Sequence, residues 1–241
     1  NSVQALKWAV RHAPTRASTL RVIRAWSVPT TGGLEMMPAT IDDFRPVTAY
    51  ELLDEVIAEL EPHGVAVEGL VTHGTASSVL LDACDDADLL IVGMRGLGGF
   101  ARLLLGSTSH QCATHARIPV VAVPATIHAD TAIESIVVGM DASPGARAAL
   151  AWTLEFAPLD VVIHTVGAWS RAGWIRADLE DADTDIDAAL VEFHTAVGEV
   201  ENARSESGRT ERSFVQDHPT TALLEASSTA DLLVVGERGR R

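Results

Sequence analysis

The segment that decides the fold is ADLLIVGMRG, residues 87–96, because it occurs a second time as ADLLVVGERG at residues 230–239. The two copies begin 143 positions apart (230 − 87). Each holds four apolar residues in a row followed by a glycine, which is the pattern of a short strand buried on both faces. This repeated strand and its glycine are the reference point for the rest of the chain.

Three further pairs of segments match in the same order at nearly the same spacing. They are ALKWAVRHA (5–13) with ALAWTLEFA (149–157), VIRAWS (22–27) with TVGAWS (165–170), and VTHGTASSVLLDA (71–83) with VQDHPTTALLEA (215–226). A period of this length is far beyond that of solenoid repeats. The sequence therefore predicts a tandem pair of whole domains, residues 1–126 and 133–241, with ATIHAD (125–130) as the linker.

Within each copy, apolar strands alternate with amphipathic helices. In the first copy the patterns predict helices over residues 3–13, 48–62, 77–84 and 109–116, and strands over residues 20–26, 65–71, 89–92 and 119–124. Continuous apolar strands separated by helices are typical of a parallel sheet covered on both faces, which is an α/β fold. The second copy adds SIVVGMDASPGARAAL (135–150), which predicts a strand, a polar turn and a helix.

The alignment of the two copies also leads to an expectation about their ends. We expect the first copy to lack its first strand, which residues 136–139 supply in the second copy. We expect the second copy to lack the last loop, helix and strand that follow the second glycine of its loop in the first copy.

The charge of the chain limits the partners it can have. It carries 33 acidic and 18 basic residues, a formal net charge of −15, which disfavours nucleic acid and anionic membrane surfaces. No apolar run approaches the roughly 20 residues of a membrane-spanning helix. Two cysteines without metal or redox spacing indicate reduced thiols and a cytoplasmic protein. Any phosphate site must therefore be local, built from main-chain amides or a few arginines.

A loop that fits this requirement follows the repeated strand of the first copy. Gly93 ends the strand, and GSTS, residues 106–109, opens a helix whose hydroxyls are good N-cap groups. Glycine lets a ligand approach the main chain closely, and the first amides of a helix attract anions. The pattern Gly93-x2-Gly96-x9-Gly106-Ser107, with Arg95 nearby, predicts a phosphate-binding loop.

Other interpretations of this loop are weaker. A Walker A loop needs a lysine after its last glycine, where this chain has Ser107, and the Rossmann pattern GxGxxG does not occur. A glycine-rich turn that only reverses the chain would explain Gly93 or Gly96 alone. It would not explain the polar start of a helix after nine further residues.

The spacing G-x2-G-x9-G-S after the repeated strand, together with VVGMDASPGARAALAWTLEFA (137–157), resembles the universal stress protein family in its tandem two-domain, actinobacterial form. The resemblance implies two open parallel five-stranded sheets in the order 3-2-1-4-5. It also implies ATP binding. Any Mg²⁺ would be bound through the nucleotide itself. Last strands of neighbouring domains often pair in this family, which implies a homodimer or an intramolecular pseudo-dimer.

The resemblance also assigns candidate nucleotide-binding residues in both copies. Asp141 falls at the adenosine end of the ligand, and Ala25 and Ala168 fall near the adenine. The full set is Ala25, Val92, Gly93, Arg95, Gly96, Gly106, Ser107, Thr108 and Ser109 in the first copy, with Asp141, Ala168, Gly236, Arg238 and Gly239 in the second. An aspartate at position 141 could instead only cap the helix that follows it, and position alone leaves both interpretations open.

The sequence does not identify an enzyme. Phosphoryl transfer needs a positioned metal, an oriented nucleophile and a cation, and no convincing base lies next to the loop. We therefore expect no catalytic residue and no protein-held metal, and interpret the chain as an ATP-binding regulatory module of a stress response with an unidentified protein partner. A slow ATPase or self-phosphorylating enzyme, and a scaffold without nucleotide that mediates protein association, are the alternatives.

Overall fold

The structure is a computed structural model that describes residues 2–12, 19–27, 47–58, 65–94, 105–126, 132–170, 182–203 and 210–237. The chain divides into two compact units, Asn1–Thr131 and Ala132–Arg241. Each unit contains its own parallel strands and its own buried core. We describe each of them by itself.

The first unit alternates helices and strands along its described residues. Its elements are α1 (Ser2–His12), β1 (Thr19–Trp26), α2 (Val47–Ala58), β2 (Ala66–His73), α3 (Ala76–Asp82) with a 3₁₀ turn at Ala83–Asp86, β3 (Leu90–Gly93), α4 (Ser107–His115) and β4 (Val120–Val123). β1 pairs with β2, and β3 pairs with β4, both in parallel. α1 packs on β3 and β4, and its residue Trp8 is buried, while α3 packs against α4.

The second unit forms one four-stranded sheet from its described residues. Its elements are β5 (Ser135–Gly139), α5 (Pro144–Phe156), β6 (Val162–Ala168), α6 (Ala182–Asn202), β7 (Thr210–Val215), α7 (Pro219–Ala226) with a 3₁₀ turn at Ser227–Thr229, and β8 (Leu232–Val234). The strands are parallel in the order β7-β6-β5-β8. Within this unit the order is therefore third, second, first and fourth strand.

Helices cover both faces of that sheet, and β5 shows why. Successive side chains of a strand point to opposite faces. Ile136 and Val138 pack with residues of α5 and α6, whereas Val137, between them, packs with Ala222 of α7. All three β5 side chains are almost completely buried. A strand buried on both sides must be apolar at every position, which is the pattern that the sequence shows.

The predicted fold class is confirmed, since parallel strands alternate with helices throughout the described residues. The five-stranded order 3-2-1-4-5 stays a prediction, because the described residues give four strands in the second unit and two separate pairs in the first. The helices of the first unit begin one or two residues earlier than predicted, and the largest difference is in α4, which starts at Ser107 rather than at residue 109. That difference matters for the candidate site.

Candidate functional site

The loop of the first unit is fixed at the carboxyl edge of the sheet by Met94, the residue after β3. The Met94 N–H donates to the carbonyl of Val123 at 2.8 Å, and the Met94 carbonyl accepts the N–H of Gly106 at 2.7 Å. The segment that leaves β3 at Gly93 and the segment that enters α4 are thus held side by side. The structure therefore brings together the two predicted loop glycines that it describes.

The start of α4 differs in detail from the prediction. Gly106 is the N-cap residue, with φ −73° and ψ 164°, and no side chain caps the helix. The prediction of a hydroxyl N-cap was therefore wrong, because the helix starts two residues earlier and places the hydroxyls inside its first turn. The N–H of Gly106 is bonded, but the amides of Ser107, Thr108 and Ser109 have no acceptor among the described residues. Such first-turn amides carry the positive end of the helix dipole.

The three hydroxyls of this turn have different surroundings. Ser107 is exposed and Thr108 is half-buried. Ser109 is 2% exposed, and its Oγ lies 2.9 Å from the carbonyl oxygen of Met94 and 3.0 Å from that of Gly106, to which its hydroxyl hydrogen can donate. The Ser109 hydroxyl therefore joins α4 to the end of β3.

The other candidate residues of the first unit are Ala25, Val92, Arg95 and Gly96. Ala25 is half-buried at the carboxyl end of β1, opposite Thr72 of β2. The Val92 side chain is 6% exposed, so only its main chain can face a ligand. Arg95 and Gly96 lie outside the described residues.

In the second unit, Asp141 follows β5 closely and is exposed at the carboxyl edge of the sheet. Its Oδ1 accepts the N–H of Ser143 at 3.1 Å. Ser143 is the N-cap of α5, and its hydroxyl accepts the N–H of Ala146 at 3.2 Å. The capping role that Asp141 could have had therefore belongs to Ser143. Between them, Ala142 has the left-handed φ of 59°.

Gly236 lies where the main chain after β8 touches the first turn of α5. A Cβ atom added to Gly236 would lie 2.3 Å from the carbonyl carbon of Gly145 and 2.5 Å from the nitrogen of Ala146. A Cβ atom on Gly145 would lie 2.3 Å from the carbonyl oxygen of Glu237. Neither position accommodates a side chain, so Gly236 has a packing role that the sequence did not predict.

The other candidate residues of the second unit are Ala168, Arg238 and Gly239. Ala168 is half-buried at the end of β6 and pairs with Val215. Arg238 and Gly239 lie outside the described residues. The neighbouring Trp169 is 7% exposed.

Sequence reasoning missed one residue that bears on the turn at Asp141. The Nε of Arg147 donates to the carbonyl of Ala142 at 3.1 Å, and the guanidinium also binds the carboxylate of Glu199 on α6. An arginine in the first turn of a helix is electrostatically unfavourable, because that end is positive. This mismatch is the signal that could have pointed to a specific contact.

Charged and reactive groups elsewhere in the first unit lie apart from the loop. Arg21 of β1 makes two hydrogen bonds with Asp86, at 2.7 and 3.0 Å, which hold the pKa of that carboxyl below its ordinary value. A surface groove of about 320 Å³ beside this pair includes neither Gly93 nor the start of α4. Cys84 and Cys112 are buried free thiols, and burial raises the pKa of each. Thiols of this kind are poor nucleophiles.

Two other kinds of site are absent from the described residues. No helix among them is long and apolar enough to cross a membrane. No group of three or more histidine, cysteine, aspartate or glutamate residues in this part of the chain could hold a metal ion. His218 instead caps α7, where its Nδ1 accepts the N–H of Thr220 at 3.3 Å.

The family model described as "Universal stress protein family" matches residues 1–124 and 132–241. The match covers almost the whole chain, in two tandem copies. The chain belongs to the universal stress protein family.

Curated relatives match almost the whole chain. Universal stress protein Rv2623 of Mycobacterium tuberculosis is 27% identical over 252 residues, which cover 98% of this chain and 82% of the relative. Universal stress protein Rv1996 of the same organism is 29% identical over 266 residues, again covering 98% and 82%. A universal stress protein of Mycolicibacterium smegmatis is 28% identical over 253 residues, covering 98% and 83%.

A solved structure supports the fold. The crystal structure of a universal stress protein from Archaeoglobus fulgidus aligns with a TM-score of 0.63 at 17% identity, over 96% of this chain and 78% of that chain. At this level of identity the likeness shows the fold alone.

Proposed function

We propose that the protein binds ATP and acts as a nucleotide-dependent regulatory module of a stress response. The observation that carries the proposal is the start of α4 in the first unit. There, Met94 fixes the end of β3 against Gly106, and the first-turn amides of α4 have no acceptor among the described residues. Main-chain amides at the start of a helix bind phosphate groups without any lysine. Membership of the universal stress protein family supports the same conclusion.

The residues present fit a triphosphate. The amides of Ser107, Thr108 and Ser109 and the exposed hydroxyl of Ser107 would hold it, with any Mg²⁺ bound through the nucleotide itself. The chain has a net charge of −15, so a local set of donors is more suitable than a general positive field. A nucleotide that binds one conformation of the protein more tightly than another shifts the population toward that conformation. ATP would regulate the protein in this way.

A charge placed at the start of α4 tests this proposal. We expect Ser107→Glu to abolish ATP binding by the first unit, because a carboxylate beside the first-turn amides of α4 takes the position of the phosphate and repels it. The same carboxylate is favourable at the positive end of the helix, so the variant should keep its melting temperature. Calorimetric titration with Mg-ATP and the melting temperature with and without excess Mg-ATP provide the measurements, since a bound ligand raises stability by RT ln(1 + [L]/Kd).

Gln111→Glu is the matched control, because Gln111 is exposed on the same helix and the change in charge is the same. It should bind ATP like the unmodified protein. An unmodified protein that binds no ATP and carries no nucleotide through purification, as judged by mass spectrometry, would overturn the proposal in favour of the scaffold. Phosphate release that is lost in Ser107→Glu would favour the ATPase.

A further inference from the structure

We propose that Arg147 is a positioning residue that holds the turn Asp141–Ser143 and thereby presents the carboxylate of Asp141 at the edge of the second sheet. The proposal deepens the proposed function and rests on it, because Asp141 is the candidate that would face the adenosine end of the nucleotide. Arg147 is not among the residues that the family resemblance assigned.

Arg147 is held at both ends of its guanidinium group. Its Nε donates to the carbonyl of Ala142 at 3.1 Å, and its Nη1 binds the carboxylate of Glu199. Glu199 lies on α6, which packs against α5 in the core of the unit. An arginine bound at two points loses most of its freedom, so it can fix the position of the carbonyl that it binds.

The turn needs such a contact. Ala142 has a φ of 59°, and a residue with a Cβ atom rarely adopts this conformation unless its surroundings impose it. Asp141 and Ser143 flank this residue and are joined by the bond from the Ser143 N–H to Oδ1. Because that bond spans Ala142, the orientation of the Asp141 carboxylate depends on the conformation that Arg147 stabilises.

The charge of Arg147 argues for positioning rather than direct binding of phosphate. Its guanidinium is already paired with Glu199, and its side chain is 33% exposed. The two charges largely offset each other towards an approaching anion. The contact is also specific to the second unit, because the alignment of Ala5 with Ala149 places Val3 at the position equivalent to Arg147.

The test compares Arg147→Ala with Arg212→Ala in the full chain. Arg212 is a close control: it lies in the same unit, binds Glu201 on the same helix α6, and has a side chain that is 30% exposed. It makes no hydrogen bond with the turn. The first measurement is the hydrogen-exchange rate of the Ser143 amide, by nuclear magnetic resonance, without nucleotide.

We expect Arg147→Ala to accelerate exchange at Ser143 by about fivefold to tenfold, the loss of roughly one hydrogen bond, while Arg212→Ala leaves it unchanged. Equal rates in both variants would overturn the proposal. If Arg147 only stabilised the unit, Arg147→Ala would lower the melting temperature, as Arg212→Ala would, but it would not accelerate exchange at Ser143 more than Arg212→Ala does. That result would also overturn the proposal.

The second measurement is the affinity of the second unit for Mg-ATP in a double-mutant cycle with Asp141→Asn, made in the Ser107→Glu chain so that the first unit does not contribute. If Arg147 acts through Asp141, Arg147→Ala weakens this binding by about threefold to tenfold when Asp141 is present and has no further effect beside Asp141→Asn. The same loss in both backgrounds would overturn the action through Asp141. If the unmodified protein binds no ATP, the proposed function fails, and the exchange rate of Ser143 alone decides whether Arg147 holds the turn.

Discussion

At the scale of single residues, Ala142 is the clearest local conflict between sequence and structure. It is the described non-glycine residue with a positive φ, and it is also half-buried against the core of the second unit. The left-handed conformation costs an L-amino acid about 1–2 kcal/mol. The surrounding contacts of the turn must offset that cost.

We expect Ala142→Gly to raise the free energy of unfolding by up to about 1 kcal/mol, because glycine adopts this φ without a Cβ clash but has more freedom in the unfolded chain. Ala142→Val should lower it by about 1–2 kcal/mol, since a β-branched residue is a severe outlier at this φ. Denaturant unfolding monitored by circular dichroism measures both changes.

Ala148 is the control for this pair. It is exposed in the regular part of α5, where Ala148→Gly should destabilise the protein by about 0.5–1 kcal/mol. If glycine destabilises the protein equally at both positions, the strain assigned to Ala142 does not exist.

At the scale of elements, the ion pair of Arg21 and Asp86 joins β1 to the 3₁₀ turn that follows α3. Both side chains have a large exposed fraction, 37% and 66%, so the pair is a small contribution to stability. The ion pair also makes the stability of the folded protein depend on pH, in a direction set by the pKa of Asp86. Hydrogen bonding to Arg21, and then its charge, lower the pKa of Asp86 in the folded protein.

We expect Asp86→Asn to melt slightly below the unmodified protein at pH 7, and the difference in melting temperature to shrink as the pH falls below the ordinary pKa of an aspartate. A carboxyl whose folded pKa is depressed contributes stability above its unfolded pKa of about 3.9, and that stability is lost as pH falls through the folded value. Thermal unfolding from pH 7 to pH 2.5 measures the convergence.

The matched variant is Asp85→Asn, which removes the same charge from an exposed neighbour without an ion pair among the described residues. The difference in melting temperature between Asp85→Asn and the unmodified protein should vary less over this pH range. If the melting temperatures of Asp86→Asn and the unmodified protein differ as much at pH 2.5 as at pH 7, the pH dependence does not come from the ion pair of Arg21 and Asp86.

At the scale of the whole molecule, the two cysteines are placed unequally. Cys84 and Cys112 both lie in the first unit, and they are 8% and 0% exposed. The second unit has no cysteine in its sequence. Thiol chemistry therefore monitors one unit only.

We expect a maleimide to label the native protein at least about tenfold more slowly than the denatured protein, because burial blocks access and raises the pKa of each thiol. The labelling rate at increasing denaturant should follow the opening of the first unit. Mass spectrometry of the labelled chain measures the rate. Immediate labelling under native conditions would show that this core is open in solution.

The fold could be predicted from the sequence because its strands contain runs of apolar residues, and β5 is buried on both faces. The runs before Gly93 and Gly236 and the segment 135–139 are visible directly in the sequence, although Leu233 and Val235 are 38% and 58% exposed. The repeat then assigned the same order of elements to both halves. The ends of helices were harder to predict from the sequence, since the start of α4 depends on the main-chain bonds of Met94.

The candidate site was predicted only in part, for a physical reason. Residue types and spacing indicated Gly93, Gly106 and Ser107, and the structure places the two glycine segments side by side. The inward bond of Ser109, the contact of Arg147 with Glu199, and the approach of Gly145 to Gly236 join residues 15, 52 and 91 positions apart. Spacing along the chain contains no information on such contacts.

The contact between Gly145 and Gly236 fastens the main chain after β8 to the first turn of α5. A Cβ atom at either position would overlap the main chain of the other segment, so only a pair of glycines allows this approach. Any side chain at one of them would push the two segments apart, and α5 begins three residues after Asp141. Two missing side chains thus hold the fourth strand of this unit close to the helix that follows the candidate aspartate.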